Sequence, residues 1–209
     1  VIRVKVTKLA PAMGAEITGI DLGSSDFSDN LIGEIRAVWL EHNKLVLRDQ
    51  NLTPQQQLRL AEAFGDPDIY PFLDGVDGIP EITAVLKREH ETVNFGGVWH
   101  TDTSYQKLPP MATMLQAIEL PPIGGDTLFA NQEMAYERLS DGLKETLGGL
   151  RVICAAGKAK VAATRTARIE ESGKSVDIDE LVASHPAIRT HPETGRRSLY
   201  VSPGHAVRF

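Results

Sequence analysis

A single cysteine, Cys154, stands among the 209 residues. No disulfide can form within the chain, and a reducing compartment is expected. Cys154 lies in the apolar run "RVICAA" and reads as a small buried hydrophobe. Long apolar runs are missing as well. None approaches the roughly 20 residues that span a bilayer, and the opening "VIRVKVTKLA" lacks the apolar core of a signal peptide. A cytoplasmic protein with no membrane partner is therefore expected. Positive charge is short: 22 Lys and Arg face 28 Asp and Glu, a net charge of −6. Without a basic stripe, nucleic acid is not expected as a partner. There is no internal repeat and no low-complexity tract. The length suits one domain over residues 1–209. The first residue is Val1, and the sequence stops at "SPGHAVRF" without a polar tail. Further residues are expected beyond Phe209.

What is present is punctuated clearly. "IRVKVTKL" alternates apolar and charged residues like a half-buried strand, and "GAEITGIDL" repeats the pattern after a glycine. In "SDNLIGEIRAVWLEHN" the apolar residues Leu31, Ile32, Ile35, Val38, Trp39 and Leu40 recur at helical spacing. "KLVLRD" is a short strand. "LTPQQQLRLAEAFG" has the marks of a helix: Thr53 as N-cap, Pro54 in the first turn, Gln56 to close a capping box and Gly65 to stop it. "EITAVLKRE", "ATMLQAIEL" and "DTLFAN" read as strands, the last two split by the turn "PPIGG". "NQEMAYERLSDGLKETLGGL" gives two helices broken at Ser140–Gly142, "RVICAA" a strand, and "AIRTH" with "RSLYV" a hairpin around "PETG". Residues 157–175, with Lys158, Lys160, Arg165 and Arg168, read as a mobile, solvated loop. Strands outnumber helices, so the fold class is α+β with a mainly antiparallel sheet.

Chemistry concentrates in "GGVWHTDTSY", residues 96–105. Such a His-x-Asp can hold a metal, serve a proton transfer or lie on a polar surface. On a strand, side chains at i and i+2 share a side, so His100 and Asp102 would converge while Thr101 faces away. One imidazole and one carboxylate are two thirds of the two-His-one-carboxylate set that holds Fe(II) and leaves positions open.

Four separated stretches in order carry a resemblance over nearly the whole chain. "GAEITGIDL" with "KLVLRDQNLTPQQQLRLAEAFG", then "WHTDTSY", then "PPMATMLQAIELPPIGGDTLFAN", then "HPAIRTHPETGRRSLYVSPG" resemble the TauD/TfdA family of Fe(II)- and 2-oxoglutarate-dependent dioxygenases. The resemblance implies a double-stranded β-helix (jelly roll) with flanking helices, truncated here at the C-terminus. It implies that His100 and Asp102 ligate Fe(II), and that Thr127 in "GGDTLF" hydrogen-bonds a carboxylate of the co-substrate 2-oxoglutarate. The family's second ligand histidine and the arginine that grips 2-oxoglutarate lie in a C-terminal segment, so both are expected past Phe209. "SPGHAVRF" matches a stretch that lines the substrate pocket, and His205 is read there as a donor to substrate in preference to a substitute ligand.

The implied activity is an oxidoreductase using dioxygen to hydroxylate an aliphatic carbon of a small organic anion. In the family's taurine enzyme, a His after the "FG" turn and an Asn before the "WH" help hold the sulfonate. Tyr70 and Gly96 stand at those places here, with Asn94 two residues earlier. The substrate side is therefore assigned to Tyr70, Leu73, Asn94, Thr103 and His205, with Phe72 adding apolar surface. An alkylsulfonate, alkyl sulfate or aryloxyalkanoate is expected rather than taurine, with C–S or C–O cleavage where the hydroxylated carbon bears the heteroatom. A bland reading stands beside each: Tyr70 as a packing residue, Asn94 as a turn former. Trp99 is expected in the core, His42 and His90 on the surface, His185 and His191 as structural or exposed. Two further functions stay open, a jelly-roll binding protein that has lost iron and a zinc hydrolase at the same pair, and so does a homo-oligomer.

Overall fold

Ser28 caps the first helical pattern, its side chain accepting from the Leu31 amide, and Asp29 sits favourably in the first turn. The computed structural model, which describes residues 4–23, 27–92, 94–158, 169 and 173–209, accordingly carries α1 over Asp29–His42. Asn43 stops the helix in a left-handed conformation, with φ 64°. Before α1 come β1 (Lys5–Lys8) and β2 (Ala15–Thr18); after it comes β3 (Leu45–Leu47). The sheet runs β1-β2-β3, antiparallel between β1 and β2 and parallel between β2 and β3. The parallel pair is the exception within the mainly antiparallel pairing expected, and α1 supplies the crossover that it needs. α2 (Pro54–Glu62) has the capping box in full, Thr53 with Gln56. Leu31 and Ile35 of α1, Leu60 of α2 and Ile17 of β2 bury one core with Leu22 and Leu52.

Residues up to Pro67, with Met114–Asn131, form one compact unit. Its second segment departs from the two strands expected there. Among the described residues, 112–131 joins no ladder. Strand-forming side chains make a sheet only when a neighbouring backbone offers N–H and C=O groups. Instead single contacts hold the segment: Gln116 donates to the Leu52 carbonyl at 3.0 Å and Asn131 to the Ala12 carbonyl at 2.7 Å. The Lys44 ammonium lies 4.2 Å from the Phe129 ring centre.

Asp68–Thr113 and Gln132–Phe209 form the second unit. β4 (Gly75–Val76) and β5 (Ile79–Thr83) make a hairpin. Asp77 and Gly78 both adopt positive φ at its turn, as the Asp-Gly pair favours. β5 ends sooner than "EITAVLKRE" suggested. α3 (Gln132–Glu137) and α4 (Asp141–Gly148) break where expected, at Ser140, whose side chain caps α4. β6 (Arg151–Ala155) is the central strand of an antiparallel sheet between β7 (Val182–Pro186) and β10 (Ala206–Arg208). β8 (Ile188–Thr190) and β9 (Arg197–Leu199) are the expected hairpin. The inward positions of β6 and β7 are Val152, Cys154, Ala183 and His185, all buried.

The chain is thus a mixture of helices and mainly antiparallel sheets. No helix is long and apolar enough to cross a membrane among the described residues. The loop expected over 157–175 falls mostly outside the described residues. Lys158, which is described, is half-buried and donates to the carbonyls of Pro203 and Ala206.

Burial pushes the Cys154 thiol above its usual range. Since the thiolate is the reactive form, an aromatic disulfide reagent at pH 8 is expected to label native Cys154 at least roughly tenfold more slowly than the urea-unfolded chain. Equal rates would contradict this placement.

Candidate metal centre

The segment around His100 is a chain of turns rather than the expected strand. The Gly97 amide donates to the Asn94 carbonyl, closing a turn that carries Gly96 at φ 72°. The Val98 carbonyl then lies 2.7 Å from His100 Nδ1. A carbonyl can only accept, so Nδ1 carries a proton, and in the neutral ring Nε2 keeps its lone pair. Nε2 lies 3.0 Å from Asp102 Oδ1. The Thr113 hydroxyl donates to the other oxygen, Oδ2, at 2.6 Å.

His100 and Asp102 therefore converge as expected, but for another reason. Thr103 at φ 46° turns the chain straight after Asp102, and its carbonyl accepts from the Gln106 amide at 2.8 Å. When Nε2 also carries a proton, its hydrogen bond to Oδ1 is the main cause holding the Asp102 carboxyl below its usual range; burial opposes it and the Thr113 hydroxyl adds to it. A neutral imidazole lone pair brought up to a carboxylate oxygen is favourable only with a proton or a cation between them. With Nδ1 anchored on a backbone carbonyl and Oδ2 on a hydroxyl, the pair has the outer support typical of metal ligands. The donor set fits a divalent transition metal.

A second strand of chain straps the site from residues distant in sequence. The Gly204 amide donates to the Trp99 carbonyl at 2.9 Å, and the Thr101 amide donates to Ser202 Oγ at 3.4 Å. A Cβ on Gly204 would stand 2.6 Å from His100 Cβ and 3.1 Å from the Trp99 carbonyl oxygen. On Gly96 it would stand 3.3 Å from His100 Cε1. His100 is thus seated between two glycines. Beyond it lies His205, 1% exposed, its ring centre 6.2 Å from that of His100 and 5.1 Å from that of Tyr105.

The other expected site residues divide. Thr103 is half-buried, and its hydroxyl oxygen is buried without a hydrogen-bond partner. Tyr70 stacks edge-on against Phe72 at 5.3 Å and Phe95 at 6.4 Å. Phe72 is wholly buried with Tyr105, so it is core and not pocket wall. Leu73 is half-buried and Asn94 is exposed at its turn. Thr127 belongs to the first unit and is exposed there. Trp99, expected in the core, is 52% exposed, and its carbonyl accepts from the Gly204 amide. His42, expected on the surface, is 9% exposed at the end of α1. Among the described residues, no third His, Cys, Asp or Glu joins the His100–Asp102 pair. Sequence reasoning missed Thr113, Ser202 and Gly204; only the glycine beside His205 offered a signal.

One imidazole and one carboxylate braced to face each other, in a chain of helices and mainly antiparallel sheets, make a candidate metal centre. The particular family follows from comparison. Residues 5–209 match the taurine catabolism dioxygenase TauD, TfdA family, and the chain belongs to it. It is 31% identical to an alpha-ketoglutarate-dependent sulfonate dioxygenase of Saccharomyces cerevisiae, over 96% of this chain and 49% of that protein. It is 31% identical to an alkylsulfatase of Acinetobacter baylyi, over 94% and 62%. A (S)-phenoxypropionate/alpha-ketoglutarate-dioxygenase of Sphingobium herbicidovorans is 30% identical, over 97% and 72%. Among solved structures, a taurine dioxygenase from Burkholderia xenovorans is similar at TM-score 0.77 and 32% identity, covering 98% of this chain and 65% of that one. The chain thus spans about half to three fifths of the length of the first two relatives.

Gly204→Ala is expected to push His100 off its seat and weaken Mn(II) binding roughly tenfold or more, read by electron paramagnetic resonance. Gly33→Ala, where an added Cβ meets nothing within 4 Å, should leave binding unchanged. Equal binding by both variants would show that the glycine seat is unimportant.

Proposed function

We propose that this polypeptide is an Fe(II)- and 2-oxoglutarate-dependent dioxygenase that hydroxylates an aliphatic carbon of a small organic anion. The observation that carries the reading is the His100 ring. Its Nδ1 proton is spent on the Val98 carbonyl, and Nε2 is turned onto Asp102 Oδ1 at 3.0 Å. His100 and Asp102 would hold the iron. Bound there, iron would supply activation of dioxygen, coupled to oxidative decarboxylation of 2-oxoglutarate to succinate and carbon dioxide. The protein's own part is to bind, orient and exclude water. Thr113 keeps the Asp102 carboxylate turned toward His100. Thr127 donates its hydroxyl to a carboxylate of 2-oxoglutarate. This reading requires a third iron ligand and an arginine for the distal carboxylate of 2-oxoglutarate in addition to these residues.

Tyr70, Leu73, Asn94, Thr103 and His205 form the substrate side. An alkylsulfonate, alkyl sulfate or aryloxyalkanoate is the substrate class, and collapse of a carbon bearing both hydroxyl and heteroatom then breaks the C–S or C–O bond. Relatives named for a sulfonate, an alkyl sulfate and a phenoxypropionate support this range. Tyr70 adds an aromatic surface where a taurine pocket would place an imidazole. Gly96 leaves no side chain to grip a sulfonate, and its packing on His100 resists one.

The test is succinate release from 2-oxoglutarate with Fe(II) and dioxygen, across taurine, a longer alkylsulfonate, an alkyl sulfate and a phenoxypropionate. Iron-dependent succinate is expected with a longer or aromatic anion, and His100→Ala or Asp102→Ala should lower it by about a hundredfold or more. No iron-dependent succinate with any substrate would sink the oxygenase. Taurine far ahead of the rest would sink the substrate class.

A further inference from the structure

Besides His205, a further histidine is built into the neighbourhood of this centre without touching it. His185 is the inward residue at the C-terminal part of β7, paired in register with Val152 of β6 and 5% exposed. Its Nε2 lies 2.8 Å from the Ser104 carbonyl and 3.0 Å from the Gln106 carbonyl. Both partners are acceptors only, so Nε2 bears a proton and donates it as a fork. The ring is steadied by Tyr200, edge to face at 5.3 Å, which in turn lies under the Arg189 guanidinium at 4.4 Å. The ladder between β6 and β7 fixes the backbone, and Tyr200 fixes the ring plane. The donor is therefore held rigidly.

What it grips is the turn that follows the carboxylate ligand. Thr103 is in the left-handed region and Gln106 closes back on it, so the carbonyls of Ser104 and Gln106 are brought to one side. That side is where His185 stands. Ser104 is 2% exposed, so its carbonyl has little access to water. Removing the donor would leave the buried Ser104 carbonyl and the half-buried Gln106 carbonyl without it, which a turn relieves by rotating. Rotation at Thr103 moves Asp102, one residue before it.

Resting on the metal-centre reading of His100 and Asp102, we propose that His185 is a positioning residue for that centre. It fastens the Thr103–Gln106 turn from β7 and so sets where Asp102 meets His100. It touches neither metal nor substrate. Packing alone would be served by any ring against Tyr200; positioning needs the forked donor.

The test compares His185→Phe, which keeps a ring and loses the donor, with His185→Gln, which keeps an N–H. Two readouts are taken on the full chain. In metal-free protein, hydrogen exchange at the Gln106 amide should quicken about tenfold or more in His185→Phe, with β6 amides unchanged, and recover in His185→Gln to within about threefold. Mn(II) affinity should fall roughly 10–100-fold in His185→Phe and recover in His185→Gln. If His185→Phe does not fold, His185→Asn, too short to reach both carbonyls, replaces it. The proposal is overturned if Gln106 exchange is unchanged without the donor, or if exchange rises while Mn(II) affinity holds. It is equally overturned if His185→Gln is as impaired as His185→Phe, or if no variant folds. Wild-type protein that binds no divalent metal defeats the oxygenase reading instead, and the metal-free exchange arm then still reports whether His185 holds the turn.

Discussion

One hydrogen bond sets the chemistry of the centre, the donation from His100 Nδ1 to the Val98 carbonyl at 2.7 Å. An imidazole offers a metal only the nitrogen that lacks a proton. Had Nδ1 been left to water, the ring could carry its proton on either nitrogen and rotate about two side-chain bonds. The carbonyl two residues back removes both freedoms. Asp102 is constrained in the same way from the other side, since Thr113 occupies Oδ2 and leaves Oδ1 facing Nε2. A pair of groups only two residues apart becomes a preorganised pair through its second hydrogen bonds.

Those bonds hold only if the backbone carrying them is held. The restraint comes from far along the chain. Ser202 and Gly204 tie down residues 99–101, and the missing side chain of Gly204 is what lets the strap approach. The strap is itself the entry to β10, which pairs with β6, and Lys158 after β6 clasps the carbonyls on either side of His205. Sheet, strap and ligand segment are consecutive links. A disturbance in the sheet therefore reaches His100 through this strap.

This explains what the sequence disclosed and what it withheld. Caps and turns are local: Thr53 with Gln56, Ser140, and Asp77–Gly78 act within four residues, and spacing alone locates them. His100 and Asp102 are legible for the same reason. Their mutual geometry was legible only by luck, since an extended strand was the wrong local structure and a left-handed Thr103 produces the same convergence. Thr113, Gly204 and His185 act across 11, 104 and 81 positions, and no periodicity encodes such a distance. Residues 112–131 show the converse. Their β-forming side chains are plain in the sequence, but a ladder requires a partner that composition cannot supply. Trp99 and His42 fail on the same ground, because hydrophobicity ranks residues while burial depends on what the backbone faces.

Tyr70 shows how substrate choice would be tied to folding. Its ring is packed edge-on to Phe72, and Phe72 is buried to the last atom against Tyr105, whose ring meets His205. A substrate contact made by Tyr70 would therefore be backed by a continuous aromatic chain running to His205, the neighbour of His100. Aromatic rings at edge-to-face angles resist small displacements because both contact area and quadrupole attraction are lost together. Widening a pocket at Tyr70 would then loosen Phe72 and Tyr105, and with them the turn after Asp102. The bland and the functional readings of Tyr70 are not rivals on this view. Packing gives the ring a fixed place, and a fixed place is what would let a half-buried phenol discriminate between ligands of different shape.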